Sequence, residues 1–66
     1  MLNNLLYNNI KELCAKKNTT INKLEDEAGL ARGTIYRWDK SMPSLDSVYK
    51  VAKCLNVTIN RLLKEV

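Results

Sequence analysis

Histidine and phenylalanine are missing from this chain of 66 residues, which has two cysteines, two glycines, one proline and one tryptophan. Without histidine, Cys14 and Cys54 cannot complete a zinc set at any usual ligand spacing. Nor do two thiols so far apart make the disulfide framework of a small secreted scaffold. Reduced thiols filling core gaps in a cytoplasmic protein are expected instead. There is no glycine-rich phosphate loop. The only clustered carboxylates, Glu25, Asp26 and Glu27, have no histidine or second acidic pair beside them. The chain is therefore read as non-enzymatic, with no catalytic residues, no metal and no cofactor. No apolar run approaches the roughly 18 residues that span a membrane. The opening Met1-Leu-Asn-Asn-Leu-Leu6 lacks a basic region and a small-residue cleavage site, so no signal peptide is expected. Repeats, low-complexity tracts and linkers are absent, and no segment alternates as a strand would.

What remains is 45% hydrophobic, enough for one compact core, in a chain near the lower limit for folding alone. A single domain over 1–66 is expected. The formal charge of +4 favours a polyanionic partner. Apolar periodicity and end signals divide the chain into five helices, an all-α compact bundle. The first runs over 3–17, with Leu6, Ile10, Leu13 and Cys14 inward and Lys16 and Lys17 in its last turn. Thr20 caps the second, Leu24 and Ala28 form its buried stripe, and Gly29 ends it. Leu30 plugs the angle to the third helix, over 32–39. After the loop Lys40-Ser-Met-Pro-Ser44, Ser44 caps the fourth, with Asp46 in its first turn and Leu45, Val48, Ala52 and Leu55 inward. Asn56 provides a left-handed stop, and Thr58 caps a last helix carrying Ile59, Leu62 and Leu63.

The segment from Thr20 to Trp38 carries most of the functional signal: a helix, a tight turn at Gly29, then a second short helix. At about 100° per residue, Ile35 and Trp38 fall on one side of that helix, while Gly33, Tyr36, Arg37 and Lys40 fall on the other. A helix anchored by two large apolar residues and presenting arginine, tyrosine and lysine is suited to an anionic surface, and duplex DNA is the expected partner.

Over residues 6–63 the chain resembles the Cro-like phage repressors, the XRE-type helix-turn-helix family. The resemblance is carried by Thr20, Leu24 and Ala28, Gly29-Leu30, Thr34-Ile35, Arg37-Trp38-Asp39, Pro43-Ser44-Leu45 and Leu55-Asn-Val-Thr58. It implies a lambda-repressor-like DNA-binding domain of five helices, whose third enters the major groove, and usually a dimer on a palindromic operator. Four positions depart from the family pattern. Ile21 replaces a backbone-gripping glutamine, and Glu25 stands where a small residue is usual. Ala31 replaces a capping serine or threonine, and Gly33 stands where relatives often carry a base-reading side chain.

The expected DNA-binding set is Thr20, Asn22, Lys23, Arg32, Gly33, Thr34, Tyr36, Arg37, Lys40 and Ser41. Arg32 begins the recognition helix, where its planar fork suits guanine N7 and O6; a phosphate contact or a solvated arginine is the alternative. A non-capping glycine costs a helix roughly 0.5–1 kcal/mol. For Gly33, either close approach of backbone to DNA offsets that cost or the position simply tolerates it. Tyr36 and Arg37 reach bases or phosphates, or else form a solvated surface on which the tyrosine ring covers a neighbour. Thr20 leaves free N–H groups at a helix start for a phosphate, flanked by Asn22 and Lys23. Lys40 and Ser41 are further phosphate partners, whereas Trp38 belongs to the core. Glu25, Asp26 and Glu27 are read as a solvated flank. Leu2, Leu5, Leu62, Leu63 and Val66 form a dimer seam or pack within the monomer.

The functional expectation is a cytoplasmic, sequence-specific transcription regulator, a repressor, binding double-stranded DNA at a palindromic operator as a homodimer. Neither a membrane nor a small-molecule ligand is expected. A protein-interaction module or a toxin–antitoxin antitoxin on the same fold is the alternative.

Overall fold

A computed structural model describes residues 2–41 and 43–64, with side chains described from Leu5 onward. Among the described residues there are four α-helices: α1 (Leu2–Lys16), α2 (Ile21–Ala28), α3 (Leu45–Leu55) and α4 (Ile59–Leu62). Between α2 and α3 lies a 3₁₀ helix, Ile35–Asp39. The expected count of five α-helices is thus corrected to four, and the expected helix over 32–39 becomes a turn followed by this shorter element. Gly33 is the reason. Its φ of +92° lies outside right-handed helical geometry, so no continuous helix can start at Arg32. The bonds that follow are largely of the 3₁₀ type, Arg37 N–H to Thr34 C=O at 3.1 Å and Lys40 N–H to Arg37 C=O at 3.0 Å.

Local chemistry accounts for the helix starts. Thr20 Oγ1 accepts the Lys23 N–H at 3.1 Å, Ser44 Oγ the Ser47 N–H at 3.3 Å, and Thr58 Oγ1 the Arg61 N–H at 3.1 Å. Each hydroxyl satisfies a donor that the first helical turn would leave without a partner.

Three helices end in one way. Asn18, Gly29 and Asn56 adopt positive φ of 57°, 75° and 60°. The next residues, Thr19, Leu30 and Val57, donate their N–H groups to Cys14, Glu25 and Ala52, each at 2.9 Å. This is the Schellman arrangement, in which a left-handed residue closes the last turn. Leu30 and Val57, following those stops, then pack on the core.

The core gathers Leu6, Ile10, Leu13 and Cys14 from α1 with Ile21, Leu24 and Ala28 from α2, and Ile35 and Trp38 from the 3₁₀ helix. Val48, Val51, Ala52 and Leu55 of α3 and Leu62 of α4 complete it. The 3₁₀ helix packs on α1, and α2 packs on α3.

Leu45 departs from expectation: at 72% exposed it stands outside the core. It follows the helical period of Val48 and Ala52, but it is the first residue of α3, and packing on that face begins only at Val48. Leu62 is fully buried and so is a core residue, not part of a dimer seam; Leu5 is half-buried and Leu63 exposed. The side chain of Leu2 and all of Val66 lie outside the described residues.

Asn9 on α1 is buried and donates Nδ2–H to the carbonyls of Leu62 and Lys64, at 2.6 and 2.9 Å. These carbonyls lie at the C-terminal end of α4, where helix geometry provides no partner. A four-residue helix is thereby tied to α1.

Both cysteines are free, but only Cys14 fills the core; Cys54 is exposed. Burial also pushes the Cys14 thiol pKa upward, disfavouring the thiolate that reacts. Alkylation of the native protein with iodoacetamide is expected to label Cys54 promptly and Cys14 only on unfolding. Equal labelling rates would contradict this packing.

Candidate nucleic-acid interface

The 3₁₀ helix is anchored from beneath and open above. Ile35 and Trp38 are 0% and 4% exposed, whereas Tyr36 is 49% exposed and Arg37, Lys40 and Ser41 also face solvent. The orientation expected from periodicity therefore holds although the helix type differs. In so short a segment, the 3₁₀ and α repeats still bring Ile35 and Trp38 to the same side. Thr34, Arg37, Trp38 and Ser41 together line a shallow cleft of about 220 Å³. The Ser41 N–H donates to the Arg37 carbonyl at 2.9 Å, which keeps Ser41 beside the helix.

The turn before this helix is held by Glu25, which is 0% exposed. Its Oε1 accepts the Gly33 N–H at 3.0 Å and its Oε2 accepts the Ile35 N–H at 2.9 Å. One carboxylate from α2 thus performs the capping that Ala31 cannot. This corrects the reading of Glu25 as part of a solvated flank; Asp26 and Glu27 are exposed as expected. A sequence signal was present: Ile21, Leu24, Glu25 and Ala28 follow the i, i+3, i+4, i+7 pattern of a buried stripe.

Gly33 is also explained differently. An added Cβ would meet nothing within 4 Å, so the glycine is required by its positive φ and not by crowding. As a turn residue, it does not incur the mid-helix cost expected of it.

Arg32 is exposed, and its Nη2 donates to both carboxylate oxygens of Asp26, at 3.0 and 3.1 Å. Periodicity gave no hint of this pair, which spans the turn at Gly29. Tyr36 sets its ring against Tyr7 of α1, with centroids 6.0 Å apart and planes inclined at 54°. The Lys11 ammonium lies 5.4 Å from the Tyr7 ring centre. Partial burial, followed by the proximity of Tyr36 and Asp39, raises the Tyr7 pKa, so its phenol stays neutral to higher pH than a free tyrosine. Tyr36 thus both covers a neighbour and keeps an open edge.

At the start of α2, Thr20, Asn22 and Lys23 are all exposed. The Thr20 hydroxyl oxygen is engaged in capping, which leaves its own O–H free to donate. Ile21, in place of the family's glutamine, is buried and belongs to the core.

A family profile described as helix-turn-helix matches residues 10–62. A search among curated proteins finds no match. The fold is similar to a solved structure described as the hypothetical transcription factor NHTF from Neisseria, with a TM-score of 0.89 and 23% sequence identity. That likeness covers 97% of this chain and 76% of the other.

Proposed function

Because the chain belongs to the XRE-type helix-turn-helix family, we propose that it is a sequence-specific DNA-binding transcription regulator that acts as a repressor. The observation that carries this reading is the two-sidedness of the 3₁₀ helix: Ile35 and Trp38 are buried while Tyr36 and Arg37 stand out in solvent. In this reading the turn and 3₁₀ helix enter the major groove, where Arg32, Tyr36 and Arg37 meet base edges. Gly33 and Thr34 lie at the groove surface. Thr20, Asn22, Lys23, Lys40 and Ser41 hold phosphates and set the register without reading sequence. A module this small makes few contacts, so a homodimer on a palindromic operator is proposed, with half-sites about 34 Å apart.

The test is selection of duplexes from a random pool, followed by titration of the selected sequence with the Arg37→Ala variant. Affinity is expected to fall about tenfold or more, the scale of one lost base or charged phosphate contact, at an unchanged melting temperature. Affinity of the parent protein is also expected to fall steeply with added salt, as counterions displaced from phosphates compete. Unaltered binding by Arg37→Ala, or salt-insensitive and sequence-blind retention, would favour a protein-interaction module instead.

A further inference from the structure

Arg32 and Asp26 are 59% and 62% exposed at their side chains, and as a stabilising ion pair they are worth little. Their geometry matters more than their strength. Nη2 is held by both carboxylate oxygens, while Nη1 and Nε make no hydrogen bond among the described residues. A guanidinium has five N–H donors in a rigid plane, so fixing one nitrogen aims the others. Asp26 sits in α2, whose backbone is pinned by the Thr20 cap and the Gly29 stop. Arg32 sits in the turn that the buried Glu25 carboxylate holds from the same helix. Both ends of the pair therefore rest on backbone held by other contacts, and the pair biases the direction of the guanidinium.

Resting on the DNA-reading function proposed above, we infer that Asp26 determines specificity by positioning Arg32. The carboxylate has two effects. It orients the remaining donors toward acceptors on a base edge, guanine O6 or N7, at one position of the half-site. It also offsets the charge with which a loose Arg32 would bind any phosphate, and it repels phosphates itself. The pair raises discrimination by improving one contact and weakening the indiscriminate one. Asp26 needs no contact with DNA to act in this way.

Duplex selection followed by binding titrations with the intact chain, Asp26→Ala, Arg32→Ala and the double variant tests the inference. The intact protein is expected to select a guanine that Arg32→Ala no longer prefers. Asp26→Ala is expected to weaken preference at that same position about two- to fivefold, the scale of an exposed ion pair, while binding random duplex more tightly. The double variant is expected to discriminate no worse than Arg32→Ala alone. Melting temperatures distinguish these effects from loss of fold, since both side chains are exposed. Preserved guanine preference in Asp26→Ala, or a change confined to other positions, overturns the positioning role while leaving the DNA-binding function intact. Failure of the intact protein to select any sequence overturns that function, and the inference with it.

Discussion

Trp38→Ala is expected to lower the unfolding free energy by about 3–5 kcal/mol, the usual cost of removing a large aromatic side chain from a core. Trp38 is 4% exposed and shares the core with Ile35, Leu6 and Ile10. The 3₁₀ helix that bears it has five residues, too few to be stable alone. It packs on α1, with Ile35 and Trp38 in the core that α1 shares, so truncation both opens a cavity and loosens the element. Domains of this size commonly have total stabilities of the same order as that loss. Urea unfolding followed by far-UV circular dichroism measures the effect, and the variant should be largely unfolded or melt far below the parent. A loss under about 1 kcal/mol would mean that the indole is not a core group.

Glu25→Ala is expected to cost about 2–6 kcal/mol, since it strands two backbone donors at about 1–3 kcal/mol each. The Gly33 and Ile35 N–H groups have the Glu25 carboxylate as acceptor, and the side chain is fully buried. Glu25→Gln separates shape from chemistry. The amide fills the same volume but has one acceptor oxygen, so its NH₂ must face one of the two donors. A loss of about 1–3 kcal/mol is expected for this variant. Faster amide hydrogen exchange at residues 33 and 35 is the second readout, because it reports the turn directly. Unchanged stability and exchange in Glu25→Gln would show that packing alone, without the carboxylate, holds the turn. If the turn positions Arg32 and Arg37 for DNA, duplex affinity should fall more than the loss of folded protein explains.

The departures from the family pattern now have physical accounts. Glu25 is fully buried and provides the cap that Ala31 lacks. Gly33 provides the positive φ that lets the Gly33 and Ile35 N–H groups meet one carboxylate. Ile21 exchanges a polar contact for burial. The acidic run resolves into three roles: Glu25 inward as a cap, Asp26 outward on Arg32, and Glu27 in solvent.

Residue order along the chain is enough to set the helix starts at Thr20, Ser44 and Thr58, the stops at Gly29 and Asn56, the all-helical class, and which side of the segment after Gly33 is buried. Those features depend on interactions within about one or two helical turns, where spacing along the chain is spacing in the fold. Packing of one element on another sets the rest: Leu45 stays in solvent, Asn9 ties down α4, Glu25 caps a turn eight to ten residues away, and Arg32 faces Asp26. Each of these depends on where one element lies against another, a distance that residue periodicity does not encode.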